Sequence, residues 1–144
     1  MLHVLLLAAV ALPVTSTFAG KEEEAEEGAR ALATSLEAEG YIFRADSYSS
    51  DLDEEIGKAV RLQLFKGNEY KFCVAVSPKS GVVIDGTVLD LQGKPSGEIQ
   101  SLEDGWGFIL TFSPSKTGVY AVAFRQTEAG KRRKTPVAMV TGYK

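Results

Sequence analysis

Short stretches in which apolar and polar residues alternate dominate the chain after residue 57. In the first of them Val60, Leu62 and Leu64 share one face, and the residues between them share the other. A period of two is typical of a β-strand with one buried face. Five such stretches follow at intervals of about ten residues, separated by turns rich in glycine and proline. With two weaker strands, near Ile42 and at 98–101, the pattern predicts an antiparallel β-sandwich of six to eight strands.

The stretch from Val82 to Leu91 departs from the simple alternation. Its apolar residues occupy both odd and even positions, and Asp85 and Gly86 lie in its middle. A β-bulge at Gly86 would change which side chains face the core. We therefore expect a bulged strand here.

One helix is predicted ahead of the strands, over residues 20–40. Ala25, Ala29, Leu32 and Leu36 are three or four positions apart, so they share one face of a helix. Five glutamates crowd the predicted start, where they complement the helix dipole, and Gly40 is a candidate C-cap. The apolar stripe is narrow and rich in alanine. The helix must therefore pack on another element to be stable.

The first nineteen residues have the pattern of a secretory signal peptide. The apolar run from Val4 to Val14 is too short to cross a hydrocarbon core of about 30 Å as a helix. Thr17 and Ala19 are small residues ahead of a candidate cleavage point after Ala19. The sequence thus predicts a signal peptide at 1–19, with no stable membrane span after its removal; the alternative is a buried N-terminal strand or helix. The mature protein, a helix and a β-sandwich domain over 41–144, would be periplasmic or secreted.

The composition of the mature chain argues against several kinds of active site. The 144 residues include one histidine, His3, and one cysteine, Cys73. Since His3 lies in the predicted leader, the sequence argues against a Ser-His-Asp triad, a Cys-His pair and histidine-ligated metals. Cys73 stands in an apolar run, so we interpret it as a small buried hydrophobic residue. Carboxylate chemistry remains open.

Charge is unevenly divided between the two parts. Residues 21–57 contain twelve acidic and three basic residues, whereas residues 58–144 contain seven acidic and thirteen basic ones. The first part thus carries a net charge of −9 and the second +6. We hypothesise that the acidic helix lies against the basic sandwich and that high salt loosens it.

Three motifs resemble bacterial pre-peptidase C-terminal (PPC) domains. They are Gly67 followed by Tyr70 and Phe72, the segment 88–93 with Asp90 and Gly93, and the segment 117–122. Their order and spacing cover roughly residues 51–124. The resemblance implies a small jelly-roll-like β-sandwich, usually exported, that binds a substrate or a cell-surface polymer or acts as a spacer.

Acidic residues supply a candidate metal site. Asp51 and Asp53 share one loop with two glutamates, and Asp85 and Asp90 could complete a set of oxygen ligands. Calcium takes six to eight oxygens, many of them from loop carboxylates, so a structural calcium ion is the candidate occupant. The alternative interpretation is a solvated acidic loop. No other cofactor is predicted.

Basic residues and the single tryptophan supply candidate binding residues. Lys131, Arg132, Arg133 and Lys134 form a run at a predicted hairpin tip, suited to an anionic polymer. No aromatic residue interrupts the run, so nucleic-acid binding is not predicted. Trp106 lies between two glycines, and it either stacks on sugars or belongs to the core.

The preferred interpretation is an exported, non-catalytic binding or structural β-sandwich. Its expected partner is an exported protein or a cell-envelope polymer. The alternative is a small hydrolase that acts on glycans through loop carboxylates. The sequence leaves the oligomeric state open.

Overall fold

The computed structural model describes residues 17–144, so most of the predicted signal peptide lies outside the described residues. One helix and ten strands follow in chain order: α1 (Thr17–Glu37), β1 (Ile42–Phe43), β2 (Tyr48–Leu52), β3 (Lys58–Leu64), β4 (Tyr70–Val76), β5 (Ile84–Leu89), β6 (Pro95–Ser96), β7 (Glu98–Ser101), β8 (Gly107–Phe112), β9 (Gly118–Gln126) and β10 (Thr135–Tyr143). Eight of the strands have four residues or more. The prediction of a mainly β fold with one N-terminal helix is confirmed.

The strands form two antiparallel sheets. In sheet A the order is β1-β10-β4-β8-β7, and β2 pairs with β10 beside β1. In sheet B the order is β3-β9-β5-β6. Every strand pair is antiparallel, and the two sheets pack face to face as a sandwich.

Alternate residues of the strands fill the space between the sheets. In β4, Tyr70, Phe72, Val74 and Val76 belong to the core between the sheets. The alternation that predicted the strands therefore also identified their buried faces. The largest fully buried side chains include Phe72, Phe108 and Phe124, one from each of three strands.

The predicted bulge at Gly86 is wrong. β5 pairs with β9 without interruption, from Ile84 opposite Gln126 to Leu89 opposite Ala121. Gly86 lies on the core side, where a Cβ atom would come within 2.4 Å of the Phe108 ring. The glycine thus leaves room for an aromatic ring from sheet A instead of kinking the strand.

Helix α1 packs on the outer face of sheet A. The residues that form this second core come from one helix face and from β4 and β10: Ala25, Ala29, Leu32, Ala33, Leu36, Cys73, Ala75, Ala138 and Val140. Small side chains on both surfaces let the helix lie close to the sheet. The molecule therefore has three layers, and the outer face of sheet B has no such cover among the described residues.

The ends of α1 differ in how well they were predicted. The described helix begins at Thr17, so the predicted cleavage point after Ala19 falls within it and its first turn contains no acidic residue. At the other end Gly40 has a φ of +94°, as predicted for a C-cap. Burial and a hydrogen bond to Glu69 raise the pKa of the next residue, Tyr41, to about 12.

Apolar contact accounts for most of the packing of the helix on sheet A, and Glu24 of the helix also accepts a hydrogen bond from Ser77, just after β4. Within residues 17–144 two ion pairs form, Arg30 with Glu26 inside the helix and Arg44 with Asp46 inside the following link. Neither joins the helix to the sandwich, so the hypothesis of docking by opposite charge has no ion pair behind it. No helix in this described range is long and apolar enough to cross a membrane.

Candidate functional site

A cleft of about 550 Å³ opens along one side of the sandwich. It lies between β3, at the edge of sheet B, and the link from β1 to β2 at the edge of sheet A. Most of its lining surface is apolar, with a few polar groups at the rim. A cleft of this size and character is typical of a binding site.

Side chains on the inner face of β10 line the sheet A side of the cleft. Met139, Thr141 and Tyr143 are two residues apart, so they point to the same face of the sheet. Tyr143 pairs with Tyr70 of β4, and their ring centroids are 6.4 Å apart. Since Tyr143 is 39% exposed, an aromatic surface is accessible at the end of the cleft.

The opposite wall is β3 and the turn that follows it. Val60 and Leu62 face the cleft and are half-buried, and Phe65 just beyond the strand is exposed. The Tyr70 hydroxyl accepts hydrogen bonds from the Phe65 N–H, at 2.8 Å, and from the Asn68 side chain, at 3.2 Å. These bonds fix the turn against the aromatic pair.

The β1–β2 link forms the rim on the sheet A side. Arg44 donates to Asp46 through Nε at 3.0 Å, and this hydrogen bond lowers the pKa of Asp46. Arg30 of α1 donates to the carbonyl oxygens of Arg44, at 3.0 Å, and Ala45. Ser47 donates to Glu26 at 3.0 Å. The helix therefore holds the link that borders the cleft.

Replacing Arg30 with alanine should loosen this link. The variant loses both hydrogen bonds to the carbonyl oxygens, and we expect the Arg44 amide, which donates to the Thr141 carbonyl oxygen, to exchange about tenfold faster. Hydrogen exchange followed by mass spectrometry or NMR measures the change. Arg30→Lys keeps the charge and a hydrogen-bond donor, so its exchange rate should lie between those of the wild type and Arg30→Ala. Unchanged exchange in Arg30→Ala would show that the helix does not hold the link.

The four aspartates predicted to bind metal do not line the cleft and do not lie together at one site. Asp51 is in β2 of sheet A, and Asp85 is in β5 of sheet B. Asp85 and Asp90 lie at opposite ends of β5, about 16 Å apart along the strand. Within residues 17–144 no group of three or more His, Cys, Asp or Glu residues is placed to hold a metal ion.

Two of these carboxylates are instead hydrogen-bonded within their own turns. Asp53 accepts from the N–H groups of Glu55 and Ile56, which lowers its pKa. Asp90 accepts from the N–H groups of Gln92 and Lys94, both at 2.8 Å. Stabilisation of their turns therefore accounts for the presence of Asp53 and Asp90 at these positions. The structural calcium ion stays a prediction, without a common site for its four ligands.

The basic run lies in the β9–β10 connection, and its members have different roles. All four side chains are exposed. Arg133 donates to the Ser80 carbonyl at 2.6 Å, and its N–H donates to the buried Gln126 side chain. Arg133 thus fastens the connection. Arg132 and Lys134 have no hydrogen bond or ion pair within residues 17–144, so they and Lys131 are the better candidates for an anionic partner.

Trp106 packs under the helix. Its ring contacts both hydrophobic cores, and a Cβ atom at Gly28 of α1 would come within 2.9 Å of it. Its flanking residues position the backbone: Gly105 has a φ of +76°, and the Trp106 carbonyl accepts from Val76. The half-buried ring therefore packs as the core interpretation predicts, and sugar stacking at Trp106 stays a prediction.

Cys73 lies fully buried beneath the same helix, as interpreted from the sequence. Burial raises the pKa of its thiol to about 12. The thiol is therefore protonated and unreactive while the helix is docked.

Sequence reasoning missed the cleft, because its lining comes from several separate segments. A partial indication was available in Tyr70 and Tyr143, which have the inward parity of their strands and stand at strand ends. A large aromatic residue at a strand end can stay partly exposed, as Tyr143 does, although Tyr70 is buried. Pairing between β10 and β4 had to be known before they could be placed side by side.

The motifs that resemble PPC domains lie at turns and strand starts. Gly67 has a φ of +99° between β3 and β4, and Gly93 a φ of +76° after Asp90. Tyr120 at the start of β9 donates to the Lys116 carbonyl at 2.6 Å. These residues thus stabilise turns and strand starts of the sandwich. No protein-family model matches the chain and no curated protein matches it, so the resemblance stays a prediction from these motifs.

Proposed function

We propose that the protein is an exported, non-catalytic binding module that holds a partner protein or an envelope polymer in the cleft between β3 and the β1–β2 link. The cleft itself carries the proposal. It is mostly apolar, opens to solvent, and has accessible aromatic rings at Phe65 and Tyr143. Such a surface gains free energy when a partner covers it.

The polar rim would give orientation to the bound partner. Arg44, Asp46 and Gln63 border the apolar surface. Hydrogen-bonding groups around an apolar centre are the usual arrangement of a binding surface. The resemblance to PPC domains, with their inferred binding roles, supports the same class of function.

Filling the cleft tests this proposal. Thr141→Trp places a large ring on the inner face of β10, whereas Thr34→Trp makes the same change on the exposed side of α1. The full-length chain is immobilised and exposed to soluble envelope proteins and to insoluble envelope polymer of the producing organism. We expect Thr141→Trp to lower the amount captured about tenfold and Thr34→Trp to leave it unchanged.

A third variant tests whether the basic run, rather than the cleft, binds the partner. Replacing Lys131, Arg132 and Lys134 with serine removes three charges and keeps Arg133, which fastens the connection. If this variant loses capture while Thr141→Trp retains it, the basic run is the binding surface and the proposal for the cleft is wrong. Melting temperatures of all variants show that each is folded.

A further inference from the structure

β3 is an edge strand with one side unpaired. It pairs with β9 over all seven of its residues, from Lys58 to Leu64, and it is the first strand of sheet B. The free side is about 23 Å long and borders the cleft. An unpaired edge of this length can pair with another extended segment through backbone hydrogen bonds.

The other sheet edges differ from β3. β6 has two residues, and β7 has four, all of them exposed. None of the cleft-lining residues comes from either strand. At the other edge of sheet A, β2 has five residues and lines the cleft through Tyr48 alone. β3 has seven residues and lines the cleft through Val60, Leu62, Gln63 and Leu64, so among the described edge strands it offers the longest free edge beside the cleft.

A strand added to β3 would present two different faces. Its inner side chains would lie beside Val60 and Leu62, which are half-buried, and would enter the cleft. Its outer side chains would lie beside Ala59, Arg61 and Gln63, which are exposed. The structure thus favours a segment in which apolar residues alternate with polar ones.

Arg61 gives the edge a charge at its midpoint. A residue directly opposite on an added strand would have its Cβ about 5 Å away, close enough for an ion pair across the strands. A second copy of this chain, paired through all seven residues, would place Arg61 opposite Arg61. Like charges in that position disfavour self-pairing. An acidic residue on a different chain is the complementary choice.

We infer that the cleft takes an extended segment of a partner protein, which adds to β3 as a fifth strand of sheet B with apolar side chains in the cleft and an acidic side chain opposite Arg61. This inference rests on the proposed function and names the form of its partner. Backbone pairing supplies affinity, and the alternating side chains supply specificity.

Synthetic peptides test the backbone pairing. The probe is the capped peptide Ser-Val-Thr-Tyr-Glu-Val-Thr-Ile-Ser, titrated against the full-length chain by calorimetry or NMR. Two further versions carry N-methyl groups on alternate backbone nitrogens, one on the odd and one on the even positions. We expect one version to bind at least about tenfold more weakly and the other within about twofold of the parent, because only alternate N–H groups face β3.

A charge exchange tests the register at Arg61. Arg61→Glu should weaken binding of the parent peptide about three- to fivefold and strengthen binding of a peptide with lysine in place of glutamate by a similar factor. Arg125→Glu is the matched control, since Arg125 is exposed in β9, which is paired on both sides. This control should leave both affinities unchanged.

The outcomes distinguish this inference from the proposed function. If Thr141→Trp abolishes peptide binding but both N-methylated versions bind equally, the cleft binds its ligand and strand addition is wrong. If no peptide of the set binds at about 1 mM, the inference is overturned, while capture from envelope material still decides the proposed function. If none of the peptides binds and a mixture of wild type and Arg61→Glu forms dimers in sedimentation, the strand that pairs with β3 belongs to a second copy of the chain, and the inference of a different partner is wrong.

Discussion

Replacing Phe108 with alanine should lower the free energy of unfolding by about 3–5 kcal/mol, the usual range for a buried phenylalanine. Phe108 is fully buried in β8 and fills the space beside Gly86 of β5. The ring therefore joins sheet A to sheet B beside Gly86, and its removal leaves a cavity between the sheets. Denaturation with urea, followed by circular dichroism, measures the loss.

A double-mutant cycle tests whether the two residues act together. Gly86→Ala alone puts a Cβ 2.4 Å from Phe108 Cζ and 2.8 Å from the Ala123 carbonyl oxygen, and should cost about 1–3 kcal/mol. In the Phe108→Ala background the contact with the ring is gone and only the backbone contact remains. We expect the cost of Gly86→Ala to fall by at least half. Equal costs in both backgrounds would mean that the ring does not require the glycine.

Replacing Ala29 with glutamate should undock α1 from sheet A at a cost of at least about 3 kcal/mol. Ala29 is completely buried within the second core, and none of the residues around it in that core carries a charge. Docking the helix would bury the new carboxylate without a partner. Ala31→Glu is the matched control, because Ala31 is exposed on the same helix and adds the same charge in solvent.

The Cys73 thiol reports undocking directly. Its pKa of about 12, against an ordinary 9.0, means that the thiolate is scarce at pH 8 while the helix is docked. Undocking exposes the thiol and restores its ordinary pKa. We expect a disulfide reagent to react with Ala29→Glu at least about a hundredfold faster than with wild type or Ala31→Glu. Equal rates in all three proteins would show that the substitution leaves the helix in place.

The same thiol makes the stability of the docked state depend on pH. A raised pKa in the folded protein means that the protonated form is favoured there. The stability that this provides is complete below pH 9 and is lost as the pH rises towards about 12. Tyr41, at the end of the helix, acts in the same direction because its pKa is raised from 10.0 to about 12.

Local patterns sufficed to predict the helix and most of the strands, but they missed β2, in a segment interpreted as a loop, and the two-residue β6. Val60, Leu62 and Leu64 alternate with polar residues and do face inward, since one face of β3 lies against the other sheet. Gly40 ends the helix turn because it adopts a positive φ. These features depend on residues that are neighbours in sequence, and a single chain segment contains all the information needed.

Features that depend on contacts between distant segments could not be predicted in the same way. The pattern around Gly86 suggested a β-bulge, but the glycine instead leaves room for the ring of Phe108, which lies twenty-two positions later in the chain. The cleft likewise depends on β3, β10 and the β1–β2 link coming together. The charge pattern suggested the right neighbour for the helix, but the alanine and leucine residues of the docked face supply its close contacts, and loosening by high salt stays a prediction.

The position of Trp106 provides an optical signal that needs no label. It is the only tryptophan in the chain, and its ring touches the helix at Gly28 as well as both hydrophobic cores. Its fluorescence emission should shift to longer wavelength in two steps if the helix leaves before the sheets separate, and in one step if they separate together. A single native chromophore can therefore show whether the third layer is an independent folding unit.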